Sequence, residues 1–306
     1  MIRRVAIDPA ILSTADRLTL LGRDVRISRG RQLQPLVAGW RQSVAERAAS
    51  IGDDRERIRF RERLKSLYER PGAVASSTLA PDRSWDLEVL VQRRQLDVVA
   101  TDRRLPVPHR ATFDDIEAER PPWAATAIVE TTKDPEDLSM YLSPLLAISE
   151  EAWLVDGYIA TCAERLARLL EACARKHPGD SRLKRLTVVT RREADRTGST
   201  TEHMRRILDA VVARVPALRA LTAELEISFW ATSGRLRMHE RLLITNVGAV
   251  RSDYGFDDNP KGARTSLALL DEGSWHLNRV RYDRAHPDHP NVDRLTLVAV
   301  ESLAVR

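Results

Sequence analysis

The alternation of apolar runs from residue 150 onward constrains this chain most. Trp153-Leu-Val-Asp156 reads as a buried strand, and a helix is expected over about 161–175. Leu186–Thr190 predicts a second strand. A helix should follow with Met204, Ile207, Leu208, Val211, Val212 and Val215 on one stripe, ended by Pro216. Leu225–Trp230 predicts a third strand and Met238–Thr245 a fourth, with further strands at Ser266–Leu270 and Leu295–Val300. Strand, helix, strand, helix, strand is the signature of right-handed crossovers, so the expected class is α/β with a mainly parallel sheet flanked by helices.

Ahead of this the pattern is less regular. After a short opening strand, Val5–Asp8, residues 1–80 predict a basic helical region. Leu33, Leu36, Val37, Trp40, Val44 and Ile51 follow helical spacing. Asp53-Asp54 offers a start for a second helix carrying Phe60, Leu64, Leu67 and Tyr68, which Pro71-Gly72 ends. Residues 81–149 read as a bridging α/β segment, with a strand at Leu96–Thr101, a proline-bearing excursion at Pro106–Pro122 and an apolar run at Ala125–Glu130. The third part is 150–306.

With 306 residues, 43% of them apolar, the chain can bury a substantial core. No run approaches the roughly 18 apolar residues of a membrane span. Met1-Ile2-Arg3-Arg4 has no apolar stretch behind it for a signal peptide, so a cytoplasmic protein is expected. Cys162 and Cys173 fall in register with Leu166, Leu169 and Leu170 of one helix, about 16 Å apart at ~1.5 Å rise per residue, and read as two small core side chains. The net charge of +5 is uneven: residues 1–70 hold 16 Arg or Lys against 9 Asp or Glu, leaving −2 for the remainder. Arg26, Arg29 and Arg31, within Arg23–Arg31, are therefore candidate phosphate or nucleic-acid contacts. Only five of the 49 basic residues are Lys, so an ordinary solvated face stays open beside that reading.

The segment Met238-His-Glu-Arg-Leu-Leu-Ile-Thr-Asn246 places His239 and Arg241 two apart, which on a strand puts both on one face. A phosphodiesterase of the phospholipase D type needs a histidine nucleophile, a neighbouring cation for the phosphate and a carboxylate to orient a histidine, and this segment supplies the first two. Residues 150–265 resemble a phospholipase D-like unit, whose motif is His-x-Lys, four residues, then Asp; here it reads His239-x-Arg241, four residues, Asn246. The region is similar to the C-terminal phospholipase D-like domain of eukaryotic MIT-domain proteins, which also has Arg two after the His, then a Gly-containing turn and an aromatic. Gly248, Arg251, Ser252, Asp253, Tyr254, Gly255 and Phe256 occupy that stretch, and Trp153–Tyr158 is similar to the strand opening such units, with Asp156 followed by an aromatic. Residues 1–150 bear a weaker likeness, through Arg29-Gly-Arg31 and the Trp40 helix, to N-terminal extensions of prokaryotic proteins that carry this domain.

The resemblance implies catalytic-type positions at His239, Arg241 and Asn246, and phosphate contacts at Arg251, Ser252 and Asp156. Family members that cleave use two motifs, in one chain or across a dimer, and only one is found here. Asn246 stands where a carboxylate is expected. The implied function is therefore recognition of a phosphate or nucleic acid within a prokaryotic protein assembly, for instance in phage defence. The alternative is a dimeric nuclease or phosphodiesterase using His239. Protein partners or a homodimer are expected, and no cofactor or metal.

Three weaker patterns complete the reading. His286-Pro-Asp-His289-Pro, with His276 upstream, has metal-like residue types, but its prolines mark a surface loop. Val98–Asp102 with Ile7-Asp8 resembles the acidic strand ends of PIN nucleases, although the intervening acids are not at matching places. Glu130-Thr-Thr-Lys133 is one residue too long for the Glu-x-Lys step of restriction-type nucleases.

Overall fold

The computed structural model describes residues 1–75, 84–124, 127–176, 183–191, 200–218, 220–230, 238–256, 263–282 and 292–298. The chain divides into two units, 1–127 and 128–306. Both are α/β.

The first unit contains β1 (Arg3–Ile7), α1 (Ala15–Asp24), β2 (Arg31–Leu33), α2 (Trp40–Arg47), α3 (Asp54–Glu69), α4 (Trp85–Gln92), β3 (Val98–Ala100), β4 (Arg110–Ala111) and α5 (Phe113–Glu117). Its four strands are all parallel, in the order β2-β1-β3-β4. The expectation of a helical region over 1–80 is corrected here. Arg31-Gln-Leu33 is short and mostly polar, so its sequence carries no strand periodicity, yet pairing with β1 buries all three residues. The helix expected from Leu33 begins at Trp40, whose indole Nε1 donates to Ile7 O at 2.6 Å and ties α2 to the central strand. The α3 start is as expected: Asp53 accepts from Arg55 N. Residues read as a bridge are shared out, with α4 through α5 inside this unit's sheet and helices.

The second unit runs β5 (Ile128–Thr132), α6 (Pro135–Ala147), β6 (Glu151–Asp156), α7 (Ala163–Arg175), β7 (Arg185–Arg191), α8 (Thr200–Val212), α9 (Val215–Leu218), β8 (Glu224–Trp230), β9 (Arg241–Thr245), β10 (Ala249–Ser252), β11 (Arg264–Leu269), α10 (Glu272–Arg281) and β12 (Val292–Val298). One eight-stranded sheet results, in the order β12-β8-β7-β6-β9-β10-β11-β5. Only the β6–β7 and β7–β8 pairs are parallel; β9, β10, β11, β5 and β12 all pair antiparallel. The sheet is therefore mixed rather than mainly parallel. The link from β9 to β10 is far too short for a crossover, which needs a dozen residues or more, so that edge is built from hairpins.

The chain steps from β6 to β7 to β8 in one direction, then β9 returns to the free side of β6. That reversal sets the amino end of β9 against the carboxyl end of β6, the end at which the rule for open α/β sheets expects a ligand crevice. Val155, Val189, Leu242 and Ile244 are fully buried in these strands. Cys162 lies in the turn before α7 and Cys173 inside that helix; neither forms a disulfide, and burial pushes the Cys173 thiol up to about 12. Among the described residues no helix is long and apolar enough to cross a membrane.

Candidate functional site

Asp156 closes β6 and stands directly opposite Arg241, the first residue of β9. The Asp156 side chain is fully buried. Its Oδ1 accepts from Tyr158 N at 2.9 Å and its Oδ2 from Phe256 N at 2.7 Å, so it pins two turns over the strand end. Ser252, expected to touch phosphate, is also buried: its hydroxyl donates to Gly255 O at 3.2 Å and shares a hydrogen bond with Thr265. Both expected phosphate contacts are instead fasteners of the 252–256 turn. Neither presents a free group to a ligand.

Gly255 explains why that turn carries a glycine. Its φ is +79°, and a Cβ there would lie 2.6 Å from Arg241 Cδ, 2.7 Å from Arg241 Nε and 2.8 Å from Asp156 Oδ2. The turn therefore rests on the Arg241 stem and shapes where its guanidinium points. Arg241 is only half buried, and its one hydrogen bond among the described residues is a long one, Nη1 to Asp253 O at 3.4 Å. Its Nε is covered and has no hydrogen-bond partner there. No described carboxylate pairs with it. The Arg241 guanidinium carbon lies 5.7 Å from the Tyr158 ring centre, and that of Arg191, at the end of β7, lies 4.7 Å from the same ring. Two cations thus share one aromatic at the carboxyl ends of the central strands.

His239 does not sit on the strand. The strand expected from Met238 begins at Arg241, because residues 238–240 cross above Gly157 before pairing starts; a Cβ on Gly157 would come within 2.7 Å of Met238 O. His239 is exposed, with no hydrogen bond or carboxylate partner among the described residues. Its neighbour Glu240 is held firmly. Arg281 Nη1 donates to it at 2.5 Å and the Tyr282 hydroxyl at 2.7 Å, and Tyr282 packs its ring 5.4 Å from Trp230. Burial and the Glu240 hydrogen bond push the Tyr282 phenol above its ordinary range. The C-terminal end of α10 is therefore what fixes the segment leading into Arg241.

Asn246 lies at the other end of β9, about 16 Å from Arg241 at strand rise. Its Oδ1 accepts from Glu150 N at 2.9 Å and Glu151 N at 3.3 Å, closing the start of β6. Asn246 is a structural clasp, remote from His239 and Arg241. Arg251 is exposed on β10, 3.5 Å from the Asp253 carboxylate. The exposed Tyr254 follows directly.

The N-terminal cations separate. Arg31 is buried: Nη2 and Nε donate to Trp123 O at 2.8 and 3.2 Å, and the guanidinium lies 4.8 Å from the Trp123 ring centre. Burial draws its pKa below the ordinary arginine value. It cannot meet a phosphate while so engaged, a correction that follows from its burial against Trp123. Arg26 is half buried and donates to Gly22 O at 3.2 Å, while Arg29 is exposed. Asp8, at the end of β1, accepts from Ala10 N and from the Thr101 hydroxyl, and Arg103 pairs with it at 3.0 Å. Asp102 accepts from Phe113 N. Those acids serve as caps and pairs; among the described residues no three His, Cys, Asp or Glu converge as a metal set. Glu130 pairs with Arg264 at 3.3 Å, and the buried Lys133 donates to Tyr254 O at 2.8 Å. His276 is exposed on α10; His286 and His289 lie outside the described residues.

Sequence reasoning missed Arg191 and took Tyr158 and Gly255 only as carriers of the family resemblance, without a role of their own. Arg191 ends an apolar strand in the row beside β6, which is the signal that could have found it.

No family model matches the chain, and no curated protein does. Among solved structures it is similar in part to TrmBL2, an archaeal chromatin protein whose structure shows a novel mode of DNA binding. That match has 11% identity and a TM-score of 0.26, over 55% of this chain and 56% of the other. At that level the likeness carries no argument about function.

Proposed function

We propose that residues 128–306 form a phospholipase D-like module that recognises a phosphate group and does not hydrolyse it. It acts as one component of a prokaryotic assembly such as a phage-defence complex, with nucleic acid as the ligand class. The observation that carries this reading is Arg241. Its guanidinium stands at the carboxyl end of β6 without a carboxylate partner among the described residues, beside the Tyr158 ring that it shares with Arg191. Guanidinium groups bind phosphate through paired charge-assisted hydrogen bonds, and the exposed outer edge of Arg241 offers such a pair. Hydrolysis by His239 would need a carboxylate to hold the imidazole and a second histidine to protonate the leaving group. No described carboxylate touches His239, and Asn246 is engaged at the far end of the strand.

The test is binding of a labelled DNA strand to the full chain in chelator, followed by gel analysis of the strand. Arg241→Ala is expected to weaken binding by about 1.5–3 kcal/mol, the range of hydrogen bonds to a charged group, while His239→Ala folds and binds like the parent. The strand stays intact throughout. Metal-free cleavage that vanishes in His239→Ala would replace this reading with the nuclease.

A further inference from the structure

The first unit contains a groove of about 870 Å3 at the amino ends of its central strands, opposite the Asp8 end. Arg3 opens β1 and Asp97 precedes β3; these line the groove together with Arg93, Arg94 and four prolines. The cations outnumber the single acid. Asp97 is already engaged, accepting from Arg4 N at 2.7 Å, and Arg3 is spent on Pro122 O and Ala124 O at 2.8 and 2.9 Å. Arg93 and Arg94 differ: both are exposed in the turn after α4, and neither makes a hydrogen bond or ion pair among the described residues. The prolines add rigid, flat, apolar walls without N–H donors.

We propose that this groove binds a nucleotide unit, with Arg93 and Arg94 on its phosphate and the proline walls against its base or sugar. Concave space of this size suits a ligand of that class, and clustered cations beside flat apolar surfaces fit nucleotides in particular. The phosphate contacts expected at Arg26, Arg29 and Arg31 thus pass to Arg93 and Arg94 at the same amino end of the sheet, where Arg31 stands in register with Arg3. The site shares no residue with the Arg241 crevice and does not rest on the reading of that crevice.

The experiment uses the full chain carrying Arg241→Ala, so that the other site is silenced. Fluorescein-labelled oligo-dT is titrated at several salt concentrations, and thymidine monophosphate serves as competitor. Arg93→Gln with Arg94→Gln is expected to weaken oligo-dT binding at least about tenfold at low salt and to flatten the salt slope by about 0.7 per lost phosphate contact. Arg93→Lys with Arg94→Lys keeps the charges and is expected to keep most of the slope, which separates phosphate contact from any loss of fold. Efficient competition by the monophosphate assigns the groove to free nucleotide; poor competition assigns it to a strand. Unchanged affinity and slope in the Gln variant, or no binding of either probe by the Arg241→Ala chain, overturns the proposal while leaving the Arg241 reading to its own test.

Discussion

Replacing Gly255 with Ala probes the crevice where its geometry is tightest. Two costs add. A non-glycine residue at φ +79° is strained by roughly 1–2 kcal/mol. The new methyl would then sit 2.6 Å from Arg241 Cδ and 2.8 Å from Asp156 Oδ2, well inside van der Waals contact. Asp156 is fully buried and held by two backbone N–H groups, so it cannot give way; the Arg241 stem, half exposed, can. The Arg241 guanidinium should swing out, which limits the steric part to about 1 kcal/mol at the low end of overpacking costs. Urea denaturation of the full chain should therefore show a loss of about 2–3 kcal/mol. DNA-strand affinity should fall as far as it does in Arg241→Ala. A loss below about 0.5 kcal/mol with unchanged affinity would refute the claim that the turn positions Arg241.

Two further outcomes follow from the described contacts. Arg31→Met removes three donors to buried carbonyls and the stack on Trp123, so it should cost about 1–3 kcal/mol in urea melts while leaving the salt dependence of DNA binding unchanged; an altered salt slope would return Arg31 to the surface. Tyr68 is pushed by burial up to about 12, and Tyr282 is raised as well. Unfolded tyrosine ionises near pH ~10, so these two stabilise the fold fully below that pH, and the contribution disappears as pH climbs toward the folded values. Spectrophotometric titration should find Tyr68 and Tyr282 ionising late, and thermal stability should fall from about pH 10 upward. A titration unchanged by Tyr68→Phe and Tyr282→Phe above pH ~10 would contradict it.

Much of the second unit was legible because its core strands are long and apolar. Trp153–Asp156, Leu186–Thr190 and Leu225–Trp230 became β6, β7 and β8 with shifts of one or two residues at most ends. Strand direction was not legible, since β9, β10 and β11 bury the same residue types whether they run parallel or antiparallel; only the short β9–β10 link betrays it. In the first unit, β2 and β4 are three and two residues long, too short for any periodicity, and tertiary pairing alone makes them strands. Around the site, His239 and Arg241 were expected on one strand face, whereas β9 begins only at Arg241. Asn246, Ser252 and Asp156 were misjudged because spacing cannot tell a side chain turned to ligand from one consumed by a backbone N–H.

The grip of Arg281 and Tyr282 on Glu240 has a consequence for synthesis. Every strand of the crevice has left the ribosome before α10 does, so β6, β7 and β9 can pair while the 238–240 segment is still untethered. Strands β5 to β11 are available at that stage and β12 is not, and the 238–240 segment stays unclamped until a helix some forty residues downstream arrives. Fixing of the 238–240 segment is therefore a late event along the chain, separable in time from the pairing of β6, β7 and β9.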